Sequence, residues 1–360
     1  MINIAQPIID KEEILHVQEV MKSGIIASGK KVLEFEINFA KYSNTRYGVA
    51  TSSGTTALHA AVIASGIKEG DKVITTPFTF AATANSVLFE KATPIFADIN
   101  PNTFNIDPDH IENILKNTPD VKALLIVHLY GLPCDMTKIM ALVNKYNLIL
   151  IEDCCQAHGS KYYGENVGNF GITSTYSFYP TKNMTTGEGG MVLTNDHIVY
   201  ENIKKLINHG QQERYVHSQL GYNFRMTDIS AAIGIEQLKK LDHFNNKRID
   251  NASFYNKNIK NDLVTLPLIP KDHHHVYHQY TIKVKDRKRF IDHLQKHEIG
   301  FGIYYPVPLN AQPYYKQLGY DPTQSPVAMK LCKEVVSIPV HPGLSKDQVR
   351  KIVEVINHYA

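Results

Sequence analysis

The chain has 360 residues, 43% hydrophobic and 20% charged, enough for one large domain and a smaller one with substantial cores. A net charge of +3 and a pI near 8.4 are too mild for a nucleic-acid-binding surface, which needs a concentrated basic face. No apolar run approaches the roughly 20 residues that span a bilayer, MINIAQPIIDKEE has no leader pattern, and Cys134, Cys154, Cys155 and Cys332 show no CxxC spacing, so membrane spans, disulfide frameworks and metal sites are not expected and the cytoplasm is the expected compartment.

From residue 46 onward short apolar runs alternate with amphipathic stretches. YGVATS is a predicted strand, followed by a helix from Thr55; DKVITTP is the next, with a helix through Ala82 to Glu90; ATPIFADI, VKALLIVHLYG and NLILIEDC follow. Continuous β-branched runs separated by helices mean strands buried on both faces, hence an α/β fold with a largely parallel sheet. STYSFYP and GGMVLTN return to that sheet before helical KKLINHG. A long helix follows in TDISAAIGIEQLKKLDHFNNKRIDNASFYNKNI, with Thr227 or Asp228 as N-cap and Ile229, Ala232, Ile233, Leu238 and Leu241 at helical spacing. The expected domain boundary lies in this helix, giving 1–245 as a large α/β domain and 246–360 as a small α+β domain built from VYHQYTIKV, FIDHLQKHEIG, VVSIPVH and KDQVRKIVEVINHY.

In open parallel sheets, ligands bind beyond the carboxyl ends of the strands. Ser53-Gly54-Thr55, Asp153 and Ser177 fall at three such ends, and Lys182 lies five residues past Ser177 in YSFYPTKNMTTGEGG. A lysine amine, a strand-end acid and a helix start with glycine are the parts a pyridoxal phosphate (PLP) site uses: a Schiff-base anchor, a partner for the ring nitrogen, and N–H groups for a phosphate. Each alone has an ordinary structural reading, as loop lysine, loop-capping acid or helix start. Gln156 and His158 are placed near the ring, and Phe80 could stack on it or serve as core packing. The run His273-His274-His275 has consecutive, diverging side chains, so it reads as a loop and not as a metal site, and His209 and His217 have no ligand spacing.

Ser53-Gly54-Thr55 ahead of ALH, TTPFTFAATAN, EDCCQAHG, SFYPTKNMTTGEGGM and GYNFRMTDISAAIG, taken in order, resemble the DegT/DnrJ/EryC1/StrS family of PLP-dependent nucleotide-sugar aminotransferases, from SGIIASG near residue 24 to SIPVHPGL near residue 340. The resemblance implies PLP-dependent transferase fold type I, the aspartate-aminotransferase type, as a homodimer with shared active sites. It implies that Lys182 carries the cofactor and acts as acid and base, Asp153 pairs the ring nitrogen, Gln156 contacts the phenolic oxygen, and Phe80 stacks on the ring. Ser53, Gly54, Thr55 and Ser177 would hold the phosphate, with Asn223 reaching it from the partner subunit. The pattern departs from the commonest form at Tyr179 and at Cys154-Cys155.

The implied reaction moves an amino group from L-glutamate, through pyridoxamine phosphate, to a keto-sugar linked to a nucleotide diphosphate, for a surface glycan such as a lipopolysaccharide O-antigen or for a secondary metabolite. Lys30, Tyr179, Arg225, Tyr304, Tyr305 and His341 are candidates for that substrate, since a diphosphate needs cations and a sugar needs hydrogen-bonding side chains. GYNFRMTD resembles the branch acting at C-4 of 4-keto-6-deoxy sugars; a C-3 aminotransferase, a PLP lyase or desulfurase, and a non-catalytic PLP-binding regulatory protein are the competing readings.

Overall fold

The computed structural model describes residues 1–360. Two helices come first, α1 (Lys11–Ser23) and α2 (Lys30–Tyr42), neither singled out by the sequence pattern because α1 leaves Ile14, Leu15 and Met21 exposed. α1 opens with a capping box of Asp10 and Glu13 and stops where Gly24 takes a φ of 73°, open to glycine without a Cβ clash.

The strands β1 (Tyr47–Thr51), β2 (Lys72–Thr75), β3 (Thr93–Phe96), β4 (Val121–Val127) and β5 (Ile149–Asp153) alternate with α3 (Gly54–Ala64), α4 (Ala82–Phe89), α5 (Pro108–Asn117) and α6 (Met136–Tyr146). A short pair, β6 (Lys161–Tyr162) and β7 (Glu165–Asn166), precedes β8 (Thr173–Ser177) and β9 (Gly190–Thr194). The main sheet has the order β1-β9-β8-β5-β4-β2-β3; β9 runs against both neighbours, and all other neighbours are parallel. Both faces are covered, and successive residues serve opposite faces: Ala123 and Leu125 pack toward α3, Leu124 and Ile126 toward α5 and α6. This double coverage is why the strands read as unbroken apolar runs.

Beyond the sheet come α7 (His197–Leu206), the exposed hairpin β10 (Gln211–Glu213) and β11 (Val216–His217), and the 31-residue α8 (Asp228–Asn258). Thr227 is the N-cap of α8, accepting from the Ser230 amide at 3.2 Å. Asp228 does a different job: its Oδ1 accepts from the amides of Gly29 at 2.8 Å and Val32 at 3.0 Å, capping α2 from the start of α8.

The chain ends with β12 (Val264–Thr265), β13 (His273–His274), β14 (Tyr280–Val284), α9 (Arg287–Lys296), α10 (Pro313–Gln317), α11 (Pro326–Glu334), β15 (Val335–Ile338) and α12 (Lys346–Asn357). β12, β14 and β15 form an antiparallel sheet whose core joins Tyr280, Phe290 and Ile352 to Tyr255 of α8 and to Ile2 from the far end of the chain. β13 pairs with β6, so His273 and His274 lie on a strand. The expected division at residue 245 falls inside α8, which serves both cores. No helix is long and apolar enough to cross a membrane.

Candidate active site

β1, β5 and β8 end at the same edge of the sheet, and their last residues lead into the site. At the end of β5, strand alternation sends two adjacent acids to opposite faces. Glu152, fully buried, accepts from the amides of Gly168, Phe170 and Gly171 at 2.8, 2.8 and 2.7 Å and meets His128 Nε2 at 3.0 Å. It is saturated, and its work is to pin the loop before β8 against β5. Asp153 faces the other way, into a cavity of about 540 Å³; Oδ2 accepts from Thr83 Oγ1 at 2.8 Å and Oδ1 from the Cys155 amide at 3.1 Å. A carboxylate has about four acceptor sites, so Asp153 is fixed by two donors with capacity left for a third.

The start of α3 packs directly against Ser177 in the wall of that cavity. Ser53 caps the helix through the Thr56 amide, so the amides of Gly54 and Thr55, in the first turn, have no partner within the helix. A Cβ on Gly54 would lie 2.7 Å from Cβ and 3.0 Å from Oγ of Ser177. Only glycine lets the hydroxyl at the end of β8 come this close to the helix N-terminus, where amides and dipole favour an anion.

Lys182 reaches the cavity from the turn after β8, its amide donating to the Tyr179 carbonyl at 2.9 Å. Burial pushes its ammonium below the ordinary lysine value, and Cys155 and Asp153 pull it part of the way back. Phe80 and Phe78, two residues apart, point oppositely: Phe78 is fully buried in the core, whereas Phe80 is 62% exposed on the cavity wall. Gln156 is clamped, Oε1 accepting from the Tyr130 amide at 2.8 Å and Nε2 donating to the Tyr305 hydroxyl at 3.1 Å, which leaves one N–H free. The Tyr130 hydroxyl in turn donates to the Tyr304 carbonyl.

Ser53, Gly54, Thr55, Phe80, Asp153, Gln156, Ser177, Tyr179, Lys182, Tyr304 and Tyr305 therefore line one cavity. Four other candidates do not line it. Lys30 is exposed at the start of α2, Asn223 is exposed, Arg225 donates to Asn208 Oδ1 at 2.7 Å, and His341 is buried with Nε2 facing the Asn3 carbonyl at 3.2 Å. His158 is also buried beside the cavity, edge-on to Phe39 and Tyr176, and burial holds it at about 3. Thr83, Cys155, Glu188, His278 and Gln279 line the cavity without having been selected from sequence. The hydroxyl-rich stretch TTPFTFAAT after β2 was the signal for Thr83; His278 and Gln279 arrive from the C-terminal part, and no local pattern marks them.

Residues 7–357 match the DegT/DnrJ/EryC1/StrS aminotransferase family. The "Pleiotropic regulatory protein" of Geobacillus stearothermophilus is 40% identical, over 97% of this chain and 96% of that protein. The GDP-perosamine synthase of Escherichia coli O157:H7 is 39% identical, over 99% of this chain and 98% of its own length. The structure of S. venezuelae DesV superposes with a TM-score of 0.93 at 32% identity, covering 97% of this chain and 94% of DesV. The chain belongs to the DegT/DnrJ/EryC1/StrS aminotransferase family, with fold type I and PLP as cofactor. The residues fit that group: an anion cradle at Gly54 and Ser177, an acid with acceptor capacity for a ring N–H, an exposed aromatic wall and a desolvated amine share one cavity.

Proposed function

We propose that this member of the aminotransferase family takes the amino group of L-glutamate and delivers it to the keto carbon of a nucleotide-diphosphate-linked sugar, at C-4 of a 4-keto-6-deoxy sugar, for a surface glycan. The observation that carries the reading is Lys182, an amine with a lowered pKa beside Asp153 in a cavity of about 540 Å³, within the range of small-molecule sites. The relative named GDP-perosamine synthase supports a nucleotide-linked sugar as substrate, and the resemblance of GYNFRMTD to the C-4 branch supports the position.

Bound PLP supplies a carbonyl that accepts the amine and a ring that spreads the negative charge left on the donor's α-carbon. Asp153, held by Thr83 and the Cys155 amide, would pair with the ring nitrogen and so maintain its proton. Gly54, Thr55 and Ser177 would hold the phosphate, and Gln156 would offer its free N–H to the phenolic oxygen. Lys182 takes the proton from the donor's α-carbon and returns one on the other side of the amine; the desolvation that depresses its pKa enlarges the neutral, basic fraction. The donor would leave as 2-oxoglutarate, its carbonyl oxygen taken from water and its amino group and electron pair left with the cofactor, and the reverse sequence, releasing water, would place the amine on the sugar. Tyr179, Tyr304 and Tyr305 bind the sugar from the open side.

The assembly we propose is a homodimer in which Asn223, exposed and away from its own cavity, contributes to the partner's phosphate site, and Lys30 and Arg225 serve the nucleotide. In the competing regulatory reading, favoured by the name of the Geobacillus relative, the chain binds PLP without turnover. The deciding experiment is the absorbance spectrum of the reconstituted protein before and after L-glutamate. Replacement of the visible cofactor band by the near-ultraviolet band of pyridoxamine phosphate supports transamination, and a panel of 4-keto and 3-keto sugar nucleotides then decides the position. A visible band that ignores glutamate refutes the donor.

A further inference from the structure

Six histidines are buried: His59, His128, His158, His275, His278 and His341. Four have a partner on the ring. His59 meets Glu90 at 2.7 Å, His128 meets Glu152 and the Cys134 amide at 3.0 Å each, His275 Nδ1 accepts from the Tyr277 amide at 3.0 Å, and His341 Nε2 faces the Asn3 carbonyl at 3.2 Å. The rings of His158 and His278 have no hydrogen bond, and the two differ in what surrounds them. Both nitrogens of His158 are sealed among aromatic rings. His278 is 5% exposed and lines the main cavity with Lys182; its Nδ1 is sealed and unpaired, and Nε2 is the nitrogen left open. Buried polar groups without partners are rare because each costs its desolvation without return, so an unpartnered imidazole on a cavity wall is a group kept for a ligand.

The backbone fixes where this ring stands. His278 lies just before β14, and its segment is tied to the turn at residues 130 and 131: the Val276 amide donates to the Gly131 carbonyl at 3.1 Å and the Gln279 amide to the Tyr130 carbonyl at 3.3 Å. Gly131 has a φ of 92°, and a Cβ there would lie 2.8 Å from Cγ2 of Val276 and 3.1 Å from the His278 nitrogen, so glycine is what lets the segment pack. The same turn clamps Gln156 through the Tyr130 amide, so one support carries both side chains to the cavity. Burial first, then the charges of Lys182 and Arg248, push the His278 pKa well below the ordinary histidine value, and the ring is neutral. A neutral imidazole has one N–H. On Nδ1 that proton would be a sealed, unpaired donor; on Nε2 it is open to a ligand.

We propose that His278 donates a hydrogen bond from Nε2 to the oxygen on the reacting carbon of the substrate. The inference rests on the aminotransferase reading above and adds a residue for a step that Lys182 does not perform. Each half-reaction exchanges C=O and C=N at that carbon. In the sugar half, the amine nitrogen bonds to the keto carbon, the C–O bond breaks, and the oxygen leaves as water with the two protons of the amine. In the donor half the same exchange runs backward, with water supplying the oxygen. Negative charge gathers on the oxygen as the C=O bond opens, and a fixed, neutral N–H stabilises it while keeping its own proton. Both substrates meet the amine at the same point, so one donor serves both oxygens. Lys182 moves the protons on carbon, and His278 attends to the oxygen.

The test compares wild type, His278→Phe and His278→Gln holoenzymes, each shown to be folded by circular dichroism, and reads the C–H and C–O steps apart. Exchange of the α-hydrogen of L-glutamate with deuterium oxide, followed by NMR, needs no C–O step. Two readouts do need it: conversion of the cofactor band to that of pyridoxamine phosphate, and loss of a heavy-oxygen label from a keto-sugar nucleotide above the uncatalysed rate in the pyridoxamine-loaded protein. His278→Phe should slow both C–O readouts by roughly 10²–10³-fold, the worth of one donor to a developing oxyanion, with α-hydrogen exchange within about 3-fold of wild type. His278→Gln, which keeps an N–H, should recover at least about 10-fold of that loss. Equal slowing of the C–H and C–O readouts, or no slowing, overturns the assignment. So does a displaced visible cofactor band in His278→Phe, because the N–H would then serve the phenolic oxygen. If wild type ignores L-glutamate, the donor reading is what fails, and label loss from the keto-sugar decides His278 by itself: slowed in His278→Phe, it sustains the contact; unchanged, it removes it. A wild type inert in both assays overturns the assignment along with the proposed reaction.

Discussion

Gly54→Ala tests the phosphate cradle with the smallest possible change. The added Cβ would stand 2.7 Å from Cβ, 3.0 Å from Oγ and 3.3 Å from Cα of Ser177. Carbon atoms rest at about 3.5–4.0 Å, so the start of α3 and the end of β8 must separate by about 1 Å. Both are held by long-range structure, α3 by its buried alanine face and β8 by pairing on both sides, so neither yields freely. A separation of that size takes the Gly54 and Thr55 amides and the Ser177 hydroxyl out of joint reach of one phosphate. Losing one charge-assisted hydrogen bond, worth about 1.5–3 kcal/mol, weakens PLP binding roughly 10- to 100-fold. The apo-protein should change less: overpacking costs about 1–3 kcal/mol, and the better helix propensity of alanine returns up to about 1 kcal/mol. PLP titration followed by absorbance, beside urea denaturation of the apo-protein, separates the two effects. PLP affinity equal to wild type in a stably folded Gly54→Ala protein would refute the cradle.

Lys182→Ala should lower turnover by at least ~10²–10⁴-fold, the usual worth of a positioned proton-transfer group, in a protein that remains folded by circular dichroism; near-wild-type turnover ends the assignment. Glu152→Ala strands three amides and His128, and urea denaturation should register a loss of about 3–5 kcal/mol with the cofactor absent, whereas a loss under 1 kcal/mol contradicts the clamp. Burial holds His158 and His275 at about 3 and His341 at about 4. The unfolded chain protonates these histidines near pH 6.5, so stability is complete above that pH and falls with acid by about 1.4 kcal/mol per unit for each, about 4 together, until the native values are reached. Apo-protein denaturation midpoints that stay flat from pH 6.5 to 4.5 would contradict this. Lys182→Ala and Asn223→Ala chains, each inactive alone, should recover about a quarter of wild-type activity when mixed and reassembled if sites are shared across a two-fold dimer; no recovery in a confirmed mixed dimer removes Asn223 from the partner's site.

What the sequence discloses of this site is what lies at strand ends. ILIED and the SGT after YGVAT mark their own positions, because a buried parallel strand is an unbroken apolar run and the first polar residue after it falls at the functional edge. Lys182 is legible by its company. The supports are not. Thr83 meets Asp153 across 70 positions, and Gln156 meets Tyr305 across 149. No local periodicity encodes such a pairing. The reversed direction of β9 is equally silent, since GMVLT is buried on both faces whichever way it runs. The adjacent acids Glu152 and Asp153 look alike in sequence, and only the pleat decides that one is spent on backbone amides while the other keeps acceptor capacity for a ligand.

The continuity of α8 bears on how the chain can come apart. A 31-residue helix is about 46 Å long, and this one carries Ala231, Ile235 and Leu241 in one core and Ala252 and Tyr255 in the other. Ile2, at the opposite end of the chain, is sewn into the same C-terminal core. Cutting at residue 245 would therefore leave both fragments with torn surfaces. The chain should melt in a single cooperative transition, and neither fragment expressed alone should give a protein that resists proteolysis.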